Sequence, residues 1–395
     1  MKTQKMIIEQ GIIARQQEDL LGYFGWPTVC SDENGVLYAV VSRRMVHVCP
    51  FGQYCLYRST DGGKTWSEPQ VVVDDAFDDR DAGICYLGDG KMIMSYFTHD
   101  LNRYAEGGIY SWWMRFIPKY GTEEAKKRAL DAIAATPEDQ RYGASYIRVS
   151  KDYGKTWGEK VHLPISAPHG PTKLKDGRLL YVGTPHEVEA YQRATGDTTE
   201  YTNSVIAMVS EDEGATWKKL ADISMPPETW NYPAGHFYMC EAHVVERQNG
   251  HLLVAIRKGD NNETLRRSEK EVVYLSHSQN GGKTWSTAEP LTNCDGQVVI
   301  GAPPHLFETA DGAIVLSYSR RVAPTSNRAI LSYDGGYNWG EEIILSASWN
   351  PECDDLGYPA TTQLPSGELV TVYYQRYFDD ARPSFLYTKW NPKKQ

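Results

Sequence analysis

The chain has no run of apolar residues long enough to cross a bilayer as a helix. Its opening residues, Met1-Lys2-Thr3-Gln4-Lys5-Met6-Ile7-Ile8-Glu9-Gln10, lack the apolar core of a secretory leader. Cysteine is sparse. There are seven, an odd number with no CxxC pair, which argues for reduced thiols and against a disulfide framework. Cys49 and Cys55 lie near His47, but their spacing is not that of a zinc site, and neither a catalytic metal nor a cofactor is expected. Positive charge is in deficit as well. A net charge of −10 argues against nucleic acid or an anionic membrane as the main partner, though it permits a locally basic pocket. These absences lead us to expect a cytoplasmic protein, with secretion as the alternative if a leader has been cleaved.

Aromatic residues are plentiful. The 26 Tyr and 11 Trp suit an all-β core or a cleft that contacts carbohydrate. One pattern recurs: Ser59-Thr60-Asp61-Gly62-Gly63-Lys64-Thr65-Trp66, of the form S-x-D-x-G-x-T-W. It returns at Ser150–Trp157, at Ser210–Trp217, at Ser278–Trp285 with Asn280 for Asp, and at Ser332–Trp339 with Asn338 for Thr. In such an octet the Asp or Asn side chain accepts hydrogen bonds from its own turn and Gly supplies a positive φ. Trp folds back as an apolar plug. We read the octet as a stapled turn inside a structural repeat, with no chemistry of its own.

A second repeat runs out of phase with the first. Short apolar segments flank Asn34-Gly35, Asp89-Gly90, Asp176-Gly177, Asn249-Gly250, Asp311-Gly312 and Ser366-Gly367, each a hairpin signal. Six hairpins, five of them followed by the Asp-type turn, predict a six-bladed β-propeller. It is all-β, with four-stranded antiparallel blades, in a single domain over residues 1–395. The N-terminal segment Ile7 to Ala14 is expected to complete the last blade. The long interval between the first two octets holds an insertion at about 99–143 in blade two. Thr122 caps a helix there, with acids in its first turn. This insertion reads as a blade decoration, a wall or lid over a pocket, or a dimer contact, and homo-oligomerisation stays open.

In a propeller the innermost strands line a central channel, so the residues that open those strands are the candidates for chemistry. They are Trp26, the run Asp78-Asp79-Arg80-Asp81, His169, Glu241 with His243, His305, and Tyr358 with Asp355 nearby. A ring of ionisable and aromatic groups at equivalent positions is not what packing alone selects.

On these motifs the chain resembles the sialidase superfamily. Ser59 to Pro69, STDGGKTWSEP, is similar to that family's Asp box. Cys240-Glu241-Ala242-His243 to Arg257 resembles the segment with the family's catalytic Glu and a substrate-binding Arg, which implies those roles for Glu241 and Arg257. Gly357-Tyr358-Pro359 resembles the segment with the nucleophilic Tyr, which implies Tyr358. Arg328 is the match for another substrate-binding arginine, with Arg320 and Arg321 as alternatives. The chain also departs from the family. Gly25-Trp26-Pro27 stands where an Arg-Ile-Pro motif belongs, and Gln375 stands where the Glu that braces its arginine belongs. The family's acid/base Asp has no counterpart in the loop Arg43 to Gly52.

The resemblance implies an exo-glycosidase of the sialidase type that releases a terminal monosaccharide from a glycan or small sugar, an acidic one first, with a neutral one stacked on Trp26 as the alternative. Tyr358 would be the nucleophile and Glu241 its base. Arg257 and Arg328, joined by Arg43 or Arg80, would hold an anionic group. Trp26, His169 and His243 would complete the contacts, and the acid would be His47, Asp81 or Asp79. Two alternatives stay open: a propeller polysaccharide lyase using His and Tyr on uronates, and a carbohydrate-binding propeller without chemistry.

Overall fold

A computed structural model describes residues 6–75, 77–202, 204–224, 226, 237–260 and 271–392. Six antiparallel sheets follow one another along the chain. Blade one runs Tyr23–Ser31, Leu37–Arg44, Gly52–Ser59 and Gln70–Val73, from the channel outward. Blade two repeats this order from Arg80–Gly88 to Val161–Leu163. In blade three the inner edge is split into Ile165–Ser166 and Thr172–Lys173, both paired to Leu179–Pro185. The inner strands of blades four, five and six are Phe237–Glu246, His305–Glu308 and Gly357–Gln363. The predicted six-bladed propeller is thus the observed fold.

The N-terminal strand Ile7–Ala14 pairs with Ser384–Trp390 and supplies the outer strand of blade six, as expected. Strand one of the chain therefore closes a ring that the last strand leaves open. Apolar side chains of adjoining blades meet between the sheets. Leu180, Val182 and Val205 of blade three, for example, pack with Val244, Val254 and Ile256 of blade four.

All five octets are stapled turns between the third and fourth strands of their blades. In the first, Asp61 accepts from the Thr65 amide at 3.0 Å and from its hydroxyl at 2.6 Å. Ser59 Oγ accepts from the Gly63 amide at 2.9 Å, and the Trp66 indole donates to Gly63 O at 3.0 Å. The two variant octets keep the bond by exchanging groups. Asn280 donates to Thr284 Oγ1, and Asn338 donates to Asp334.

The insertion lies between the second and third strands of blade two. Thr122 caps the helix Glu123–Ala135, accepting from the Ala125 amide at 3.1 Å. Leu101, Tyr104, Trp113, Ile117 and Ile133 form a small core with Met45, Val46 and Cys49 from the loop of blade one. The insertion is thus a wall fixed to blade one beside the channel mouth.

Candidate active site

Four inner strands open with the same irregularity. Trp26, Asp81, Glu241 and Tyr358 have φ of 54°, 52°, 48° and 53°. Each sits inside a register shift: Gly25/Thr28, Arg80/Gly83, Cys240/His243 and Gly357/Ala360. None is glycine, so each left-handed residue costs on the order of 1–3 kcal/mol. A bulge re-aims the side chain it carries. Here it turns one residue from each of blades one, two, four and six into the channel mouth.

Tyr358 donates to Glu241 Oε1 at 2.5 Å. Glu241 Oε2 accepts from Arg257 at 2.7 Å, and Arg257 also reaches Glu271 at 3.2 Å. Burial raises the Tyr358 phenol well above its ordinary pKa, and the charges of Glu241 and Asp81 add to it. Burial pushes Glu241 up too, but Arg257, the Tyr358 hydroxyl and Arg321 outweigh it and hold its carboxyl below the usual range. The pair is therefore a neutral phenol against a carboxylate, a nucleophile with its base in place.

Arg321, an alternative from sequence, and not Arg328, is the arginine placed beside Tyr358. Its guanidinium lies 5.6 Å from the Tyr358 ring centre, donates to Leu356 O at 2.9 Å and stands 3.9 Å from Glu271. Arg328 is turned to the flank of blade five, where it binds Ser326 Oγ and pairs with Glu342. Arg320 stays outside as well, bonded to Val322 O. Arg43 is likewise away from the site. It pairs with Asp19 at 3.0 Å and lies over Phe24. Two registers explain these corrections. Arg328 lies on the third strand, paired to Ile344, whereas Arg321 follows the second strand at its channel end.

Trp26 takes the place of the missing arginine and is sandwiched by two others. Arg80 lies 4.3 Å from its ring centre and Arg44 lies 5.3 Å away. Asp78, fully buried, anchors both, and it also accepts from His99 and Tyr104 of the insertion. Gln375, where the family has a bracing Glu, bonds Asn327 at 3.0 Å instead. Trp26, Tyr358 and Tyr374 form one buried aromatic cluster.

The three acid candidates part company. Asp79 points away from the mouth, beside Asp75, and burial there raises its pKa well above the usual range. Asp81 faces the channel; burial raises its carboxyl to about 7, against the pull of Arg80 and with the push of Glu241. Asp81 Oδ1, Arg80 Nε and Arg257 Nε find no hydrogen-bond partner among the described residues. His47 stands at the rim with its side chain 48% exposed. Its Nδ1 meets the Tyr23 hydroxyl at 2.6 Å, and Tyr23 donates to Asp355 at 2.7 Å. Desolvation by the surrounding rings lowers the His47 pKa, and Asp355 pulls it back up.

His169 and His243 are not at the mouth. With His305 they stack beneath Tyr358, His243 on His305 at 4.3 Å and His169 against His305 at 4.9 Å. His243 accepts from the Leu306 amide and His305 from the Thr361 amide. Burial drives His243 down to about 3 and His169 and His305 well below the ordinary value, so all three are neutral. Sequence reasoning passed over Glu271, Arg44, Tyr23 and Tyr374. Only Glu271, just before an apolar strand, carried a local signal, a charge leading into a buried segment.

Comparison with known proteins bears on the fold and the family. Residues 132–374 match the BNR repeat-like domain, and residues 57–68 match a BNR/Asp-box repeat. A sialidase of Micromonospora viridifaciens is 23% identical over 80% of this chain and 44% of its own length. A sialidase of Bacteroides fragilis is 28% identical over 46% of this chain and 36% of its own. The chain thus spans less than half the length of either relative. Among solved structures, a protein of unknown function from Dyadobacter fermentans superimposes with a TM-score of 0.70 at 19% identity, over 98% of both chains. The NanB sialidase of Streptococcus pneumoniae gives 0.61 at 13%, over 98% of this chain and 71% of that one. An α-L-arabinofuranosidase of Fusarium graminearum gives 0.60 at 13%, over 97% of this chain and 98% of that one. The match over residues 132–374, on a six-bladed fold with five stapled octets, makes this chain a member of the BNR repeat-like domain family within the sialidase superfamily.

Proposed function

We propose that the chain is an exo-glycosidase that releases a terminal acidic monosaccharide through a covalent intermediate on Tyr358. The observation that carries this reading is the 2.5 Å contact from Tyr358 to Glu241, with Arg257 and Arg321 beside it. A carboxylate nucleophile would be repelled by a substrate carboxylate at the anomeric carbon, whereas a neutral phenol is not. Arg257 and Arg321 come from blades four and five, so they place that carboxylate, and the anomeric carbon with it, on the Tyr358 side of the mouth.

In the first step the Tyr358 oxygen attacks the anomeric carbon while its proton passes to Glu241. The bond to the leaving oxygen breaks as that oxygen takes a proton from a general acid. In the second step water attacks the glycosyl-tyrosine, the acid's conjugate base takes a water proton, and Glu241 returns its proton to the Tyr358 oxygen. Two displacements give net retention.

Of the two acids left at the mouth, His47 suits the leaving group. It is at the rim, near solvent, where the departing chain lies, and it belongs to blade one beside Tyr358. Asp81, buried in blade two across the channel from Arg321, meets the far edge of the sugar ring instead. Its unpartnered oxygen suits a ring hydroxyl.

A screen of wild type and Tyr358→Phe against sialosides and uronides, both natural and aryl-linked, tests the reading. Hydrolysis by wild type with a glycosyl adduct on the Tyr358 peptide is expected. Equal activity of Tyr358→Phe would remove the nucleophile, and a product absorbing in the ultraviolet would indicate elimination. Aryl substrates also assign the acid. A leaving group that needs no proton rescues His47→Gln and not Asp81→Asn.

A further inference from the structure

The strand that brings Tyr374 to the site continues outward into a groove of about 580 Å³ between blades five and six. Gln10, Gln375 and Arg376 are among the residues lining it, with Trp349, Tyr377 and Phe378. These three rings are 66%, 37% and 47% exposed. They touch one another, Trp349 to Phe378 at 4.8 Å and Phe378 to Tyr377 at 4.6 Å, with planes 56° and 85° apart. They make an angular corner, and no described residue covers it.

The corner is held stiffly. Arg15 grips Asp380 with two parallel bonds of 2.7 and 2.6 Å and lies over Tyr377, while the Asp380 amide closes a turn on Tyr377 O. Phe378 itself has a φ of 52°, a conformation a bulky residue does not adopt for packing gain when its ring faces water. A strained, braced loop presenting three rings to solvent is pre-organised to bind. The groove adjoins the site along one strand: Tyr374 lies in the buried cluster with Tyr358, and the next two residues, Gln375 and Arg376, line the groove.

We propose that this groove binds the neutral sugars of the glycan chain that carries the terminal residue, the side to which the leaving group departs. The inference rests on the glycosidase reading above, which sets which end of the glycan points outward. A pyranose offers an apolar face to an aromatic ring and hydroxyls to a guanidinium or amide, and the groove pairs the two.

Saturation-transfer NMR with lactose, N-acetyllactosamine and cellobiose on the full chain tests it without requiring turnover. Transfer to at least one sugar is expected with wild type and with Tyr358→Phe. It is lost in the Trp349→Ala/Phe378→Ala double variant, whose changes lie on exposed rings and leave the far-ultraviolet spectrum intact. No transfer to any of the three from wild type, or equal transfer from the double variant, overturns the proposal. So does sedimentation showing that the double variant converts a dimer to a monomer while sugar binding is kept. If hydrolysis is found, Trp349→Ala should lower the ratio of kcat/KM for an oligosaccharide to that for an aryl glycoside about tenfold, the scale of one aromatic contact. Sugar binding without hydrolysis would keep the groove and remove the glycosidase reading.

Discussion

Blades one, two, four and six open with a left-handed residue that faces the mouth; blades three and five do not. In the first set, strain falls on Trp26, Asp81, Glu241 and Tyr358, three of them buried and Glu241 partly so. In the second, His169 and His305 follow ordinary backbone and settle below, edge to face and neutral. The two sets carry residues equally suited to chemistry by type. What separates them is how the strand delivers the side chain, and the backbone irregularity is the better guide.

The largest effect should separate the sets directly. Tyr358→Phe and Glu241→Gln are each expected to lower kcat by about 10²–10⁴-fold, the range for losing a nucleophile's base or a general acid/base. His169→Gln and His305→Gln should change kcat by less than about threefold, since each removes only a packed neutral ring. If the two groups fall together in steady-state assays, the bulge has no functional meaning.

Next comes the arginine pair. Arg321→Ala should raise KM about 30- to 100-fold, as expected for a lost charge-assisted contact of about 2–3 kcal/mol. Arg328→Ala should leave KM within about twofold, because its partner Glu342 is on the flank of blade five. The reverse order would restore Arg328 to the site.

The pH profile sharpens the comparison further. In the proposed role His47 must be protonated to act as the acid, and desolvation lowers its pKa from the ordinary histidine value in the free protein. Log kcat/KM should therefore fall with rising pH on a limb set below the ordinary histidine range, and the limb should vanish in His47→Gln assayed on an aryl substrate. Glu241 must be ionised, and its depressed pKa puts the acid limb below the usual carboxylate range.

The smallest effect concerns stability. Asp81 has a pKa of about 7 in the folded chain against 3.8 unfolded. A raised carboxyl supports the fold fully below the unfolded value, and that support is lost as pH rises through about 7. Asp81→Asn should therefore melt higher than wild type, by a margin that grows from pH 4 to about 7 and is level above, seen by calorimetry. A margin independent of pH would mean that Asp81 is not a raised acid.

The fold was legible because the octets act as a ruler. Their stapling bonds are local, so residue types at fixed offsets are enough to specify them. Glu241, Arg257 and Tyr358 were legible through motif resemblance. Asp79 and Asp81 were not separable, since period-two alternation puts both on one face and only the bulge at Arg80/Gly83 parts them. The left-handed position is Asp81 itself and not a glycine, so no residue type announces it. Arg321 lost to Arg328 for a similar reason. Proximity to an octet pointed to a residue on the third strand, whereas the channel end of the second strand is where an arginine can meet Tyr358.

The three imidazoles beneath Tyr358 have one more consequence. Buried and in mutual contact, they form a floor across the channel, with Tyr358 on one side and a cavity of about 430 Å³ that they line on the other. For the glycosidase proposed above, such a floor would bar a threaded chain and restrict cleavage to chain ends. In that proposal traffic through the mouth would also have an order: the departing chain, nearest the exit, would leave first, and the captured sugar would follow once water had come in behind it.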